Sequence, residues 1–163
     1  MPQRAVPTPR RSVPTIRELL SYRLHRVANL LSRGAELRYR REFGVSLWEW
    51  RTLALLGAAS PQSLGHLAQA AGIHKSQMSR VVSGLADRRL VERSSNSADG
   101  RGVQLALSKA GRKIYLGLID AAAERDKAFR ACLSAKEKAA FEEILDKLSG
   151  QARAFIQRER TAG

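Results

Sequence analysis

Two short amphipathic segments meet at Gly72, and this junction restricts the fold more than any other feature of the sequence. Apolar residues recur at steps of three and four from about Ser63 to Ala71, and again from Met78 to about Leu90. That spacing is typical of one buried face of a helix. Glycine readily takes the left-handed conformation that ends many helices, so Gly72 predicts a tight turn between the two segments. Two helices joined in this way predict a helix-turn-helix.

The apolar spacing changes from helical to alternating directly after the second of these helices. Apolar and polar residues alternate from Val91 to Arg93 and again from Val103 to Leu107, with the run SSNSADGRG between the two stretches. Two such stretches joined by a loop of Ser, Asn, Asp and Gly predict a β-hairpin with a projecting tip. A hairpin that follows a helix-turn-helix makes the predicted unit a winged helix-turn-helix, which we assign to residues 46–108.

Long helices are predicted on both sides of this unit. Before it, apolar residues recur at helical spacing from Ile16 until Gly44 ends the pattern. After it, Ser108 begins another helix, and a last helix follows near the end of the chain. Their apolar stripes face nothing obvious within so small a protomer, so we expect residues 15–45 and 109–160 to form a dimerisation region. The predicted fold class is therefore mainly α, with a small β-hairpin wing.

Basic side chains greatly outnumber acidic ones. The 29 Lys and Arg residues oppose 15 Asp and Glu residues, which gives a net charge of +14 and a pI near 11.1. Residues 1–14 contain four of the five prolines, and we expect them to form a flexible basic arm because proline lacks the amide donor of a helix or sheet. The charge predicts a polyanionic partner. Nucleic acid is favoured over an anionic membrane surface, although charge alone does not separate the two.

Several classes of protein find no support in the sequence. No stretch approaches the roughly 18 unbroken apolar residues of a membrane span, and the N-terminus lacks the apolar core of a secretory signal, so we expect a cytoplasmic location. The single cysteine, Cys132, excludes an internal disulfide and a multi-cysteine zinc site. The three histidines lack a ligand pair four residues apart, and no group of residues has the spacing of a catalytic site. We therefore expect no metal, no cofactor and no enzyme activity.

The second helix of the predicted helix-turn-helix has a polar face suited to the major groove of DNA. The residues that we predict to contact DNA are Lys75, Ser76, Gln77, Ser79 and Arg80. Short hydroxyl side chains let a helix backbone approach the groove, while Gln77 can pair with adenine and Arg80 with guanine. The alternative is a polar face that contacts only solvent. The adjacent hairpin and the nine basic residues within 74–113 favour DNA contact.

Arg101 lies between two glycines at the tip of the predicted hairpin. With so little bulk beside it, its side chain can enter a narrow minor groove. The alternative is a loop arginine without a specific role. Asp99 lies two residues earlier and would be repelled by phosphate, so we expect it to serve a purpose other than DNA contact.

Two runs of this region have a specific spacing, GIHKSQMSRVVSGLADRRLVERS and ADGRGVQLALSKAG. Together they resemble the MarR family of bacterial transcriptional regulators, in which a recognition helix leads into a wing. The wing tip of that family carries an Asp-x-Arg pair, here Asp99 and Arg101, and a Leu-x-Leu-Ser/Thr-x-x-Gly segment follows, here Leu105–Gly111. The resemblance extends over about residues 15–160. One departure is Arg89, which stands where the family usually has a glycine.

The resemblance implies a ligand-responsive regulator, more often a repressor, that binds a pseudo-palindromic operator as a homodimer. It also implies that Asp99 holds an arginine of the wing in place, and that a small aromatic or phenolic acid releases the DNA. We place this effector beside Ser21, His25 and Trp48, because an indole face and hydrogen-bonding groups suit such a ligand. Equally, the small residues of the first long helix could serve only to let helices pack closely.

Two other functions stay open from the sequence. A sequence-tolerant architectural DNA-binding protein would also be strongly basic, but it does not require the distinct face of Gln77 and Arg80 or a wing. An enzyme that acts on nucleotides is disfavoured, because the sequence shows no acid–base or metal-binding cluster.

Overall fold

The computed structural model describes residues 15–95 and 103–162. It confirms a mainly helical chain with a small antiparallel sheet. A short 3-10 turn, Ile16–Glu18, comes first. The helices are α1 (Leu20–Phe43), α2 (Leu47–Ala58), α3 (Leu64–Ala71), α4 (Lys75–Asp87), α5 (Lys109–Arg130) and α6 (Ala135–Ala162). The strands are β1 (Gln62–Ser63), β2 (Val91–Ser95) and β3 (Val103–Leu107).

The chain divides into two compact units. The first ends at Arg112 and contains helices α1 to α4, the sheet and the first residues of α5. The second begins at Lys113 and contains the rest of α5 and all of α6. The winged helix-turn-helix predicted for residues 46–108 therefore lies within the first unit, while the predicted basic arm, residues 1–14, lies outside the described residues. Within the described part of the chain, no helix has an apolar stretch of the length that crosses a bilayer.

Short-range hydrogen bonds set the ends of the helices where the sequence predicts them. The Ser46 hydroxyl accepts the amide of Glu49 at 3.3 Å, and the Glu49 carboxylate accepts the amide of Ser46 at 2.6 Å, so the two residues form a capping box at the start of α2. Ser63 caps α3 in a similar way. Gly44, at φ 64°, ends α1, and Gly72, at φ 69°, ends α3. Both glycines are in the left-handed region that other residues avoid.

The core of the first unit is built from one face of each helix and from the sheet. Tyr39 of α1 packs against Trp50 of α2, with ring centroids 5.3 Å apart. The apolar side chains buried around this pair include Leu53, Leu56, Leu67, Met78, Leu85 and Leu105. Two residues with helical core spacing, Ala54 and Leu64, are only half-buried. The helix-turn-helix therefore packs against α2 on one side and against the sheet on another.

The wing contains a third strand that the sequence does not predict. β3 lies between β1 and β2 and is antiparallel to both. In the predicted hairpin, Val91 lies opposite Leu107 and Arg93 lies opposite Leu105. β1 is only two residues long, so its sequence shows no alternation. Its Gln62 side chain donates to the carbonyl oxygen of Leu55 at 2.7 Å, which joins the sheet to α2.

The turn after α4 has a conformation that is unusual for its residue. Arg89 has φ 56°, in the left-handed region, at the position where the MarR family usually has a glycine. That conformation costs a residue with a side chain about 1 kcal/mol. The Ser108 hydroxyl donates to the carbonyl oxygen of Arg89 at 2.6 Å, and the Ser108 amide donates to that of Leu90 at 3.1 Å. These two hydrogen bonds hold the turn in place.

Helix α5 begins against the same turn. The Ser108 hydroxyl accepts the amide of Gly111 at 2.9 Å, which confirms Ser108 as the residue that begins this helix. A Cβ atom at Gly111 would lie 1.9 Å from the carbonyl oxygen of Leu90. Real atoms do not approach so closely, so the backbone contact between α5 and the turn requires glycine.

We expect Gly111→Ala to lower the free energy of unfolding by about 2 kcal/mol, because the backbone must move to admit a methyl group. Gly34→Ala in α1 is a matched control, since nothing lies within 4 Å of a Cβ atom there. Alanine also favours a helix over glycine by up to about 1 kcal/mol, so the control should be slightly more stable than the parent. Urea-induced unfolding measures both variants. A Gly111→Ala variant as stable as the parent would contradict the close contact.

Candidate nucleic-acid interface

The turn between α3 and α4 fixes the second helix relative to the first. The amides of Gly72 and Ile73 donate to the carbonyl oxygens of Gln69 and Ala68, each at 3.1 Å. These two hydrogen bonds, together with the left-handed conformation of Gly72, fix the end of α3 and the direction of the chain that follows it. α4 then begins at Lys75, three residues after the glycine. The predicted helix-turn-helix is thus present in the structure.

Helix α4 has one face in the core and the opposite face at the surface. Met78, Val82 and Leu85 are buried in the core. The residues that the sequence predicts to contact DNA are all exposed, namely Lys75, Ser76, Gln77, Ser79 and Arg80. Because an α-helix has about 3.6 residues per turn, burial of the first set directs the second set outward. The structure thereby gathers the predicted residues of α4 on one accessible surface.

The first turn of α4 lacks the serine cap that α2 and α3 have. His74 precedes the helix, but its side chain accepts no hydrogen bond from the helix, and the first turn contains no acidic residue. The first amides of a helix carry a partial positive charge and attract phosphate groups. Lys75 adds a full positive charge at the same end. The beginning of α4 is therefore suited to the DNA backbone.

Arg93 connects the wing to α4. Its guanidinium group donates to the hydroxyl oxygen of Ser83 at 2.9 Å, so β2 is held beside the helix. No local sequence pattern indicates this contact, because Ser83 lies ten residues before Arg93. A cavity of about 130 Å³ lies beside this contact and is lined by Leu64, Ser79, Val82, Arg93, Val103 and Leu105.

Arg88 is engaged within the protein. Its Nη1 lies 2.9 Å from Oε1 of Glu49, in a pair whose side chains are 39% and 18% exposed. This ion pair reduces the set of basic residues that are free to contact phosphate. Exposed basic residues of segment 74–113 that form no ion pair within the described residues are Lys75, Arg80, Arg89, Arg93, Lys109, Arg112 and Lys113. The surface around α4 and the start of α5 is thus strongly cationic.

The tip of the wing lies outside the described residues. Both Asp99 and Arg101 belong to that segment. The insertion of Arg101 into a minor groove and the supporting role of Asp99 stay predictions.

The three predicted effector residues are not in contact within one protomer. Ser21 and His25 are exposed on α1, and the His25 ring shares a 2.9 Å hydrogen bond with Asn29 one turn later. Trp48 is half-buried at the start of α2, with the guanidinium of Arg51 4.7 Å from its ring centroid. Among the described residues, no hydrogen bond or ring contact joins Ser21 or His25 to Trp48.

Ser21 and His25 lie on the face of α1 that enters the core further along the helix. Residues at alternating steps of four and three form this face, namely Ser21, His25, Ala28, Ser32, Ala35 and Tyr39. Ala35 and Tyr39 are buried and Ser32 is half-buried, whereas the first three residues are exposed. The face that packs against α2 therefore continues uncovered for about two turns. This stretch of α1 is thus left uncovered within the first unit.

The remaining candidate ligand residues are scattered. His25, His66 and His74 are exposed on α1, on α3 and before α4. Cys132 is exposed after α5, and its thiol donates to the carbonyl oxygen of Phe129 at 3.0 Å. Within residues 15–95 and 103–162, no three His, Cys, Asp or Glu side chains gather as metal ligands do.

Comparison with known proteins points to one family. The family model of the MarR family matches residues 43–102, from the last residue of α1 to the residue before β3. Among solved structures, a MarR/EmrR family transcriptional regulator from Acinetobacter sp. ADP1 is similar with a TM-score of 0.76 and 27% identity, over 82% of this chain and 94% of that one. A MarR family regulator from Silicibacter pomeroyi has a TM-score of 0.67 and 26% identity, over 78% and 86%. A search of curated proteins found no match.

A MarR mutant from E. coli complexed with operator DNA shares the fold. Its TM-score is 0.72 at 22% identity, over 79% of this chain and 92% of that one. This structure and the two regulators therefore share their overall fold with this chain.

Substitutions of Arg80 and Gln77 on the exposed face of α4 test whether these side chains contact bases. Arg80→Ala and Gln77→Ala should each weaken binding to a preferred duplex by about 1–3 kcal/mol and relax the preference at one base pair, because we expect each side chain to contact a base edge. Arg112→Ala is the control, since a residue that contacts only phosphate should weaken binding to preferred and random duplexes equally. Fluorescence anisotropy with both duplexes measures the difference. Equal losses on both duplexes for Arg80→Ala and Gln77→Ala would show that neither residue reads sequence.

Proposed function

We propose that the chain is a member of the MarR family of DNA-binding transcriptional regulators and that it represses transcription by binding a pseudo-palindromic operator as a homodimer. The observation that carries this proposal is the exposed polar face of α4, whose first turn lacks a side-chain cap and an acidic residue. Two solved relatives in fold, MarR from E. coli and MepR from S. aureus, have structures in complex with DNA. Because its target is chromosomal DNA, we place the protein in the cytoplasm.

The apolar surface of the terminal helices supports the homodimer. Helix α6 has 28 residues and none of them is buried. Large apolar residues recur on it at helical spacing and are exposed, namely Phe141, Ile144, Leu145, Phe155 and Ile156. In the first unit, α1 likewise exposes Leu20, Val27 and Leu30. Apolar faces of this size are typical of protein interfaces, and a second copy of the chain would cover them.

A homodimer with a two-fold axis would bind an operator that has the same symmetry. Two copies of α4 related by such an axis would contact two half-sites about 34 Å apart, which is one turn of the double helix. The alternative, a sequence-tolerant architectural protein, requires neither this spacing nor base contacts from Gln77 and Arg80. The symmetry of the preferred duplex therefore distinguishes the two functions.

We expect selection from random duplexes to yield a two-fold symmetric sequence with half-site centres about 10 base pairs apart.

The double variant Ile144→Glu with Phe155→Glu should be monomeric in sedimentation equilibrium, because charged side chains cannot be buried in an apolar interface. Its affinity for the full operator should fall to that for a single half-site. Lys147→Gln on the same helix is the control and should stay dimeric. Selection of no common sequence would favour the architectural function, and a dimeric double variant would exclude α6 as the interface.

We further propose that a small aromatic or phenolic acid releases the operator. His25 and Tyr39 are separated by 14 residues of α1, which is about 21 Å along the helix, and Tyr39 lies beside the start of α2. One small ligand cannot span that distance. We therefore propose that one subunit contributes Ser21 and His25 and that the other contributes Trp48. The uncovered face of α1 supports this arrangement.

Titration with salicylate and benzoate tests the effector. Both acids should quench tryptophan fluorescence and weaken operator binding together, because a ligand acts only through unequal affinity for the two states of the protein. His25→Ala and Trp48→Phe should each reduce both effects, whereas Arg33→Ala, elsewhere on α1, should not. If ligand binding survives in both variants and is lost in Arg93→Ala, the ligand occupies the cavity beside the wing. Binding without any change in operator affinity would contradict the effector role.

A further inference from the structure

One carboxylate joins the beginning of α2 to the end of α4. Oε2 of Glu49 accepts the amide of Ser46 at 2.6 Å, and Oε1 of the same side chain accepts a hydrogen bond from Nη1 of Arg88 at 2.9 Å. Arg88 is the residue that directly follows α4. The pair is partly sheltered, with the Glu49 side chain 18% exposed. A partly buried pair of this kind is screened less by salt than a surface pair is.

The start of α5 holds the same turn from another direction. The Ser108 hydroxyl donates to the carbonyl oxygen of Arg89 at 2.6 Å, and its amide donates to that of Leu90 at 3.1 Å. At Gly111 the backbones are too close to admit a Cβ atom. The turn Arg88–Leu90, which we call the α4–β2 turn, is thus attached to both α2 and α5.

The backbone conformation of the α4–β2 turn indicates that its contacts with α2 and α5 hold it in place. Arg89 is the one non-glycine residue with a positive φ among the described residues. An unfavourable backbone conformation persists only where surrounding contacts hold it, so the turn behaves as a stiff connection. A glycine at this position would adopt the same φ without strain and would also leave the turn freer to bend.

We infer that the α4–β2 turn fixes the recognition helix relative to α2 and α5, and that the Glu49–Arg88 pair is a positioning contact that determines which operator spacing the protein accepts. This inference rests on the proposed function. In a dimer, the separation of the two copies of α4 depends on how rigidly each is attached to helices outside the helix-turn-helix. The first residues of α5 follow Ser108, which hydrogen-bonds to this turn. A loose turn would let α4 adjust, and the protein would then tolerate other spacings.

The same contact offers a route from the proposed effector to the DNA. Trp48 directly precedes Glu49 in the first turn of α2. A ligand that moves Trp48 would displace the Glu49 carboxylate and, through Arg88, the end of α4. In this proposal, Glu49 and Arg88 act through the position of α4 and not through contact with a base. They are therefore positioning residues rather than DNA-reading residues.

Operators of altered spacing test the inference. The selected operator is lengthened or shortened by one base pair at its centre, and affinities of the parent, Glu49→Gln and Arg88→Gln are compared. In the parent, the altered duplexes should bind more weakly than the operator. Each variant should reduce this discrimination by about threefold or more, and the double variant should be no worse than either single one, because both remove the same contact. Arg88→Lys keeps the charge and should restore much of the discrimination.

The ratio of affinities separates positioning from simpler roles. Loss of a phosphate contact by Arg88 would weaken all duplexes equally and leave the ratio unchanged. Glu36→Gln, which breaks an exposed ion pair with Arg40 on α1, is the matched control and should keep the ratio of the parent. If Glu49→Gln unfolds through loss of the α2 cap, Arg88→Gln still tests the contact because the cap is intact.

Two results would overturn the inference and are distinguishable. Unchanged spacing discrimination in Arg88→Gln, with the operator still bound, would overturn the positioning role alone. A parent protein that selects no sequence and shows no spacing preference would overturn the proposed function together with this inference.

Discussion

Burial of one face of α4 is the constraint on which the rest of the interface depends. Met78, Val82 and Leu85 are taken into the core between α2, α3 and the sheet, and a helix cannot bury that face without presenting the opposite one. The exposure of Gln77 and Arg80 is therefore a consequence of apolar packing. Stability and the proposed DNA reading would therefore be coupled, because any loss of packing beneath α4 would also move the side chains that we expect to face the groove.

Electrostatics adds to this geometry in two different ways. The uncapped first turn of α4 and Lys75 offer positive charge where a phosphate can approach. At the other end of the helix, Arg88 is paired with Glu49 and so serves the protein internally. The recognition helix thus has one end available to DNA and the other attached to its own scaffold. This arrangement leaves the first turn of α4 accessible while the other end of the helix is held against α2.

Features set by neighbouring residues could be predicted from the sequence, and those set by distant residues could not. The capping box of Ser46 and Glu49 and the helix-ending Gly72 need only a few residues of context, so both were predictable. Strand β1 could not be predicted because it has two residues and pairs with a strand about 40 residues later. The Glu49–Arg88 pair joins residues 39 positions apart and leaves no periodic signal. The effector site stays a prediction because the proposed site draws residues from two subunits.

Protection of guanine N7 atoms in the selected operator tests the central claim most directly, namely that the exposed face of α4 reads the major groove. Guanine N7 lies in that groove, where a recognition helix and a side chain such as Arg80 would shield it from dimethyl sulfate. The proposed geometry predicts two protected clusters about 10 base pairs apart on one side of the duplex. In Arg80→Ala, protection should be lost at one guanine in each half-site. Uniform reactivity of all guanines in the bound operator, or protection that Arg80→Ala leaves unchanged, would contradict it.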